Sequence, residues 1–467
     1  MTHGPLFGKI IMFILPLIAT NLLQTFYNAA DIMIAGLSSE PDAVGAVGST
    51  SALLNLIVNI FIGISVGADV IVARYIGAKN SEKTSKAVHT SVCMGFIFGV
   101  AGAIIGFLIT EPVLVAMGYE GNILRLGTLY GHIYFACLPF LALTNFLSAI
   151  MRAKGDTKTP LYVMLGAGVL NVGLNTFFVL VMDMSVEGVA IATAVANAVS
   201  AAILWCVLSR DTGDCRLSFK NLRIHGKTFG EICYIGFPSG IQNALFSLSN
   251  ILINSSIVQI NNAVTPVGSA YEPVIKAHSA GGSIEGFVFT AINSVMQAAS
   301  TFTSQNVGVG DYKRVRKVFF NVLIISSAVA LMFSALVIAL REPLHALYGV
   351  RDLDDPLSRI AYDTAIKKVF CKWTLFILFA LMNSTAGVLR GLGKSVMSAS
   401  FSLIGTCAFR VVWIYTVFKM IPTLECIFVS YPISWGLTGI AFVIAVSVIL
   451  KKKIKEQNAR NLNNIGE

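Results

Sequence analysis

The sequence predicts an all-α polytopic membrane protein with twelve transmembrane helices in two pseudo-symmetric six-helix lobes. Two observations lead to this fold class, the composition and an internal duplication. Only 12% of the residues are charged and 55% are hydrophobic, and the mean hydropathy is +0.75. These values exclude a soluble globular protein, so the lipid bilayer is the expected partner of the chain.

The second half of the chain repeats the first at an offset of roughly 230 residues, which is too long for a solenoid repeat. Three groups of residues recur in the same order: Asn145, Arg152 and Gly155 as Asn383, Arg390 and Gly393; Glu111, Pro112 and Gly118 as Glu342, Pro343 and Gly349; and Pro16 as Pro238. A duplicated membrane bundle is a common architecture of transporters. Each half is therefore expected to supply six helices.

Twelve uncharged or nearly uncharged runs are long enough for spans, since crossing about 30 Å of hydrocarbon takes about 17–25 residues. The runs cover residues 10–36, 50–76, 92–117, 129–151, 160–182, 187–209, 232–260, 284–306, 318–340, 372–390, 396–419 and 426–450. The first run lacks a small-residue cleavage signature and continues directly into the bundle. It is therefore expected to be a retained helix rather than a signal peptide.

Basic residues are distributed unevenly between the two predicted sides of the membrane. If both termini lie on one side, that side carries about 24 of the 34 lysines and arginines and the other about nine, so the positive-inside rule makes it cytoplasmic. The net charge of +10 is thus explained by topology. Because the basic residues are spread one loop at a time, no nucleic-acid partner is expected.

The domain organisation follows from one polar stretch at the seam of the duplication. Residues 1–208 are predicted as the N-lobe, 209–231 as a cytoplasmic linker, 232–450 as the C-lobe and 451–467 as a cytoplasmic tail. The eight cysteines are scattered without a CxxC pair. They are expected to be small packing residues, with no disulfide and no metal site.

The first half carries the sharpest candidate for function, because an ionisable side chain deep in a spanning helix is costly. Asp31 follows a long uncharged run, in which Pro16 removes a backbone hydrogen bond and favours a bend. Asn171 and Asn175 lie one turn apart on one helical face, and Thr193 lies in the next predicted span. This oxygen-rich set could hold a proton or a small hard cation such as Na⁺. Alternatively, Asp31 is solvated near the outer helix end and the other three are ordinary interhelical hydrogen-bond partners.

The second half is chemically different from the first. At the position matching Asp31 it has Ile253, close to Asn250. Its best acidic candidate is Glu285, expected at the outer start of the eighth span, where it could contact a cationic substrate or be a first-turn carboxylate favoured by the helix dipole. Arg410 lies within a span and requires a partner or water, which the sequence does not identify. The stretch 271–282 matches no recognisable feature.

No catalytic constellation is found, so the chain is not expected to be an enzyme. The sequence has no G-x-S-x-G, H-E-x-x-H or Walker A lysine motif, and its six histidines do not cluster. Transport would then be driven by an ion gradient, with H⁺ or Na⁺ as coupling ion and no other cofactor. Phenylalanine and methionine side chains facing a cleft would suit flat aromatic cations. The bundle is expected to be monomeric.

Seven segments together give the sequence a family resemblance. They are Y-N-A-A-D-I-M-I-A-G (27–36), M-R-A-K-G-D-T-K-T-P (151–160), L-N-V-G-L-N (170–175), I-E-G-F-V-F-T-A-I-N (284–293), T-S-Q-N-V-G-V-G (303–310), V-L-R-G-L-G (388–393) and Y-P-I-S-W (431–435). In this order they resemble the MATE family, the multidrug and toxic-compound extrusion transporters of the MOP flippase superfamily, and especially its bacterial members. The resemblance covers nearly the whole chain.

The resemblance implies a role for each candidate in the first half. Asp31 matches the first-helix aspartate that takes the coupling ion, Asn171, Asn175 and Thr193 match its partners, and Pro16 matches the proline at which the first helix bends. The chain departs from some relatives, which carry Asp where it has Asn175. The missing second carboxylate weakens the case for a tight Na⁺ site and favours a proton at Asp31.

For the second half, the resemblance implies contact with the transported drug. Glu285 resembles the eighth-helix glutamate of bacterial multidrug exporters, whereas Asn250 and Asn383 stand where other members carry acids. These three residues are tentative substrate ligands.

The sequence thus predicts an antiporter of the bacterial cytoplasmic membrane, with both termini inside, that exports organic cations in exchange for H⁺ or Na⁺ at Asp31. The alternative is a flippase for a lipid-linked saccharide or another anionic lipid. Such a substrate would require a basic cleft, for which the predicted spans offer chiefly Arg410 and Lys276.

Overall fold

The computed structural model describes residues 1–266, 269, 271–351 and 355–463. Within them, the α-helices are α1 Leu6–Ala35, α2 Ala43–Gly77, α3 Ser81–Ala116, α4 Gly121–Ala136, α5 Leu138–Lys154, α6 Lys158–Thr176, α7 Val186–Ser209, α8 Gly226–Val264, α9 Pro273–Val309, α10 Tyr312–Ala339, α11 Arg341–Ala346, α12 Pro356–Trp373, α13 Phe376–Gly391, α14 Ser395–Ser402, α15 Phe409–Trp413 and α16 Leu424–Asn463. No strand occurs in these residues. The predicted all-α fold class is confirmed.

The helices fit a multi-pass membrane protein. Eight of the described helices or continuous helical segments are long and apolar enough to cross a bilayer, and the bent pair α4 and α5 makes a ninth candidate. The long helices α8 and α9 and the pair α12 and α13 cover the other three predicted spans. Each of the twelve predicted runs thus corresponds to helix.

The fourth predicted span is broken rather than straight. α4 ends at Ala136, α5 begins at Leu138, and the two axes differ in direction by 46°. Pro139 lies in the first turn of α5. Proline is tolerated there because first-turn N–H groups have no helical acceptor, but it cannot continue the preceding helix, so the span bends.

Three π-helical segments lie within the predicted spans. Residues Phe177–Val181 continue α6, and Leu403–Ala408 and Ile414–Phe418 flank α15. The π-helix is rare and is found frequently at functional sites. The eleventh span, Ser395–Phe418, is thus an alternation of α and π turns, and it carries Arg410.

The helices form two compact units. The first unit is Met1–Ala244 with Ser304–Gly310, and the second is Leu245–Thr303 with Asp311–Glu467. In the first, α2, α3, α5 and α7 bury a common core. In the second, α13 packs against α10 and α16. The lobe boundaries at residues 208 and 232 stay a prediction.

The predicted linker 209–231 packs on the first unit. The backbone N–H of Ser218 donates to Nε2 of His89 at 3.1 Å, and Lys154 pairs with Asp211 at 2.7 Å. Cys215 and Leu217 are buried. Polar character in this stretch therefore does not make it a free tether. The predicted tail is also ordered, because α16 continues to Asn463, although residues 464–467 lie outside the described part.

Small residues allow close helix contacts in part of the first unit. A Cβ added to Gly63 would lie 2.3 Å from the Cα of Gly240, and one added to Gly67 would lie 2.3 Å from a backbone oxygen of α8. Van der Waals packing at small residues drives helix association in lipid. Gly166 and Gly173 have no atom within 4 Å of an added Cβ, so packing does not explain every glycine of the spans.

Residues 341–371, which lie between two of the predicted spans, are largely helical. α11 covers Arg341–Ala346, and α12 begins at Pro356 with Asp355 as its N-cap, whose side chain accepts from the backbone N–H of Ser358. Residues 352–354 lie outside the described part. Within α12, Lys368 and Lys372 are buried.

Candidate ion-binding site and buried charges of the second unit

Asp31 lies in the last turn of α1 and is only 7% exposed. The alternative of a solvated Asp31 is therefore wrong. The carboxylate is near the negative end of the helix dipole and away from water, and both conditions disfavour its charged form. The charge needs compensation from neighbouring helices.

The structure brings the four predicted residues together within the first unit. The Nδ2 of Asn175 on α6 donates to Oδ1 of Asp31 at 2.5 Å, and the Oγ1 of Thr193 on α7 donates to Oδ2 at 3.2 Å. Asn171 donates to Oγ1 of Thr193 at 3.2 Å, and its Oδ1 accepts from Asn175 at 3.3 Å. Each oxygen of the carboxylate thus has a donor.

One acceptor of this network has no partner. The Oδ1 of Asn175 is buried and has no hydrogen bond within the described part of the chain. Asn175 itself is fully buried, and an unsatisfied buried acceptor costs about 1–3 kcal/mol. Rotating its amide by 180° would present this oxygen to Asp31, which suits a protonated carboxyl group that donates.

The donor set also decides how well Na⁺ would fit. The Nδ2 of Asn175 donates to Asp31 and that of Asn171 donates to Thr193, while the Oδ1 of Asn171 accepts from Asn175. These amide hydrogen bonds would have to rearrange before Asp31, Asn171, Asn175 and Thr193 could offer a cation their oxygens. A proton requires only the turn of Asn175. No group of three or more His, Cys, Asp or Glu side chains suited to a metal occurs among the described residues.

Pro16 lies in α1, which continues as one helix on both sides of it. Since proline has no N–H, the helical hydrogen bond to the carbonyl of Met12 is missing. The hydroxyl of Thr20 donates to the carbonyl of Pro16 at 2.8 Å. The role of Pro16 as the point of bending stays a prediction.

Glu285 is not a first-turn carboxylate, because α9 begins at Pro273 and Glu285 lies well within it. The helix dipole therefore does not explain this carboxylate, which is 6% exposed. The Nζ of Lys372 donates to its Oε2 at 2.7 Å, and the Nζ of Lys368 lies 3.4 Å from its Oε1. Two cations already occupy the carboxylate, which argues against direct contact with a cationic substrate.

Arg410 has the partners that the sequence could not identify. Its Nε donates to Oγ of Ser434 at 3.0 Å, and its guanidinium carbon lies 4.1 Å from the centroid of the Tyr431 ring. The Nζ of Lys372 lies 3.7 Å from the same centroid. The second unit thus has a buried group of charges that sequence reasoning missed, because Lys368 and Lys372 were assigned to a loop and its border.

The other two tentative substrate ligands, Asn250 and Asn383, form no hydrogen bond with these charged side chains within the described residues. Asn383 donates to Oδ1 of Asn293 at 2.8 Å, and Asn250 is exposed. No hydrogen bond joins Glu285, Asn250 and Asn383 within the described residues. Their role in substrate binding stays a prediction.

A helical bundle of this kind, with many helices long and apolar enough to cross a bilayer, is a multi-pass membrane protein. The MatE family model matches residues 16–177 and 238–416. The two matched segments begin at Pro16 and Pro238, as the duplication predicts. The chain belongs to the MatE family of transporters, and the predicted family resemblance is confirmed.

The proteins with similar sequences include two bacterial multidrug transport proteins. The chain is 27% identical over 315 residues to the "Probable multidrug resistance protein YoeA" of Bacillus subtilis, covering 66% of each chain. It is 24% identical over 243 residues to the "Multidrug export protein MepA" of Staphylococcus saprophyticus, covering 52% of this chain and 54% of MepA. The matches therefore span about half to two thirds of these relatives.

A solved structure covers almost the whole chain. It is described as "Reverse polarity of binding pocket suggests different function of a MOP superfamily transporter from Pyrococcus furiosus", and it matches with a TM-score of 0.86 at 19% identity over 96% of this chain and 97% of that chain. At this identity the match shows the fold alone. The twelve-helix, two-lobe class is thereby supported.

Proposed function

We propose that this protein is an ion-coupled antiporter that exports organic cations across the bacterial cytoplasmic membrane by alternating access. The names of YoeA and MepA support drug export, and the Asp31 network supports ion coupling. Small-molecule cationic or aromatic compounds are the proposed substrates, both termini are cytoplasmic, and the transporter acts as a monomer.

The observation that carries the proposal is a single buried carboxylate held by donors from two neighbouring helices. In the charged state, Asp31 accepts from Asn175 on α6 and from Thr193 on α7. Proton uptake from outside removes one acceptor position and adds a donor. Asn175 then turns its free Oδ1 toward the carboxyl group, so the contacts of α1 with α6 and α7 change with the proton.

Coupling requires that the two access states bind the ion with different affinities. In the outward-open state, the poorly hydrated pocket favours the neutral carboxyl group. The rearranged α1, bending at Pro16, releases the substrate. In the inward-open state, the donors of Asn175 and Thr193 again stabilise the carboxylate, and the proton leaves to the cytoplasm. Na⁺ in the same site is the second possibility for the coupling ion.

The test is ethidium efflux from cells or inverted vesicles, with a proton gradient and a Na⁺ gradient imposed separately. Asp31→Asn should abolish efflux under the coupling gradient while the protein still reaches the membrane in normal amount. Asp183→Asn is the matched control, because Asp183 is exposed, accepts only from Ser39 within the described residues, and has a φ of +51° that asparagine tolerates. Undiminished efflux in Asp31→Asn would contradict the proposal.

The alternative, a flippase for an anionic lipid, is favoured by one observation. Lys368, Lys372 and Arg410 are buried in the second unit, whereas the sequence offered chiefly Arg410 and Lys276. Wild-type protein that moves no ethidium under either gradient, but moves a fluorescent anionic lipid between leaflets of vesicles, would replace the antiporter proposal by this one.

A further inference from the structure

The buried charges of the second unit form one group around Glu285. The group comprises Glu285 on α9, Lys368 and Lys372 on α12, and Arg410 on α15, and we call it the cationic cluster. Exposed fractions are 6% for Glu285, 2% for each lysine and 4% for Arg410. All four side chains are therefore removed from water.

The charges of the cationic cluster do not balance. Three basic side chains face one carboxylate, which Lys372 and Lys368 share. Among the described residues, the polar partner of Arg410 is the hydroxyl of Ser434, its other neighbours are the rings of Tyr431 and Trp435, and its two Nη atoms make no hydrogen bond. Charges in an apolar interior are costly unless they are paired. An additional anion would supply the missing counter-charge.

Aromatic side chains border the cationic cluster on α16 and α13. Tyr431 and Trp435 lie 4.1 and 5.9 Å from the guanidinium carbon of Arg410, measured to the ring centroids. Trp435 in turn contacts Phe376 and Phe379, with ring centroids 5.8 and 5.2 Å apart. Rings adjacent to arginine suit a ligand with an aromatic or apolar body next to its charge.

We propose that the cationic cluster binds the anionic group, a carboxylate or phosphate, of an amphipathic aromatic or lipid ligand. The free Nη atoms of Arg410 take the oxyanion as a fork, and Lys372, shared with Glu285, contributes the second charge. The four side chains are enclosed in this conformation, so the ligand enters in another state of the cycle. The proposal rests on the proposed transport function in one respect, namely that the bound ligand is a transported substrate. It extends the range of substrates to anionic and zwitterionic compounds.

The test is equilibrium binding to purified full-length protein in nanodiscs of neutral phosphatidylcholine, without any gradient. The probes are fluorescent 9-anthracenecarboxylate and its neutral carboxamide, which differ only in the charged group. We expect the carboxylate to bind at least about tenfold more tightly, as an additional charge-assisted hydrogen bond allows. Arg410→Gln should remove this preference, and Arg410→Lys should keep part of it.

Two further variants separate binding from structural damage. Lys367→Gln is the matched control, because Lys367 precedes Lys368 but is exposed and pairs with Glu425 at 2.6 Å, and it should leave the preference unchanged. Glu285→Gln should increase carboxylate affinity, because it removes the competing internal anion. A purely structural cluster or a cation-binding Glu285 predicts no gain. Equal binding of the two probes by wild type, or an unchanged preference in Arg410→Gln, would overturn the proposal.

Varying the lipid composition of the nanodiscs shows whether the anionic group comes from a lipid or from a soluble compound. If anionic phosphatidylglycerol in the nanodiscs weakens carboxylate binding by wild type, a lipid phosphate shares the cationic cluster. If it has no effect, the ligand is a soluble organic anion, and either result supports the site. Asp31→Asn should keep the carboxylate preference, so a failure of ion coupling and a failure of this site give different results.

Discussion

At the scale of residues, the Asp31 network joins side chains of α1, α6 and α7 through hydrogen bonds. Asn171 and Asn175 could be placed on one face by their spacing of four, and Asp31 stood out because charge is rare in the spans. The duplication did not help, since the second unit has no equivalent acid. That Asn175 directs its N–H group toward the carboxylate, leaving its own Oδ1 free, required the structure.

Replacing Thr193 by valine tests the network without changing any charge. Thr193→Val keeps the side-chain shape but removes the hydroxyl that donates to Oδ2 of Asp31 at 3.2 Å. A hydrogen bond to a charged group is worth about 1.5–3 kcal/mol, so gradient-driven ethidium efflux should fall about tenfold or more.

Thr193→Ser is the control for this substitution, as it keeps the hydroxyl and should keep most of the efflux. The measurement is the initial rate of gradient-driven ethidium efflux. Equal loss in the serine and valine variants would show that packing, not the hydrogen bond, matters at this position.

The two lysines of the cationic cluster could not have been found from the sequence, for a physical reason. Lysines adjacent to apolar runs are normally loop or interface residues with solvated heads, so Lys368 and Lys372 were assigned to the outer side. Only α12, which packs against α16, turns them toward Glu285. Long-range pairing of this kind leaves no local pattern.

At the scale of elements, the uncharged runs predicted the helices well, and the shapes of the helices less well. The bend between α4 and α5 follows from Pro139, which the sequence displays. The π-helical segments have no comparable marker, because one extra residue in a turn depends on tertiary contacts. Glycine in the spans predicted close helix contact, and the structure locates it at Gly63 and Gly67 but not at Gly166 or Gly173.

The contact between α2 and α8 provides a quantitative test of that packing. Gly63→Ala places a methyl group 2.3 Å from the Cα of Gly240, and backbone atoms cannot move aside as a flexible side chain can. Overpacking of this kind typically costs about 1–3 kcal/mol. The variant should therefore unfold at a lower temperature than wild type in the same detergent, as measured by the loss of monodisperse protein on heating.

Gly166→Ala is the matched control in the first unit. No atom lies within 4 Å of its added Cβ, and alanine favours a helix over glycine by about 0.8–1.0 kcal/mol. It should keep or raise the unfolding temperature. If both variants were equally stable, the close contact of α2 with α8 would not contribute to stability.

At the scale of the whole molecule, two units of duplicated origin carry opposite buried charge. The first buries Asp31 among amides and a hydroxyl, and the second buries three basic side chains around one acid. This difference also sharpens the topology argument. Lys368 and Lys372 were among the about nine basic residues counted on the outer side, and as buried residues they do not act as loop charges under the positive-inside rule.

The resulting prediction is that both termini lie in the cytoplasm. Green fluorescent protein fused to the C-terminus of the full chain should fluoresce, and alkaline phosphatase at the same position should be inactive, because each folds on one side of the membrane only.

An epitope inserted next to Tyr119, between α3 and α4, should be accessible to antibody on spheroplasts, whereas one inserted next to Asn80, between α2 and α3, should require permeabilised cells. Tyr119 lies in a segment with one basic residue nearby, Arg125, and Asn80 lies among Lys79, Lys83 and Lys86. An active C-terminal phosphatase with an accessible epitope at Asn80 would reverse the orientation, and ion uptake at Asp31 would then have to proceed from the cytoplasm.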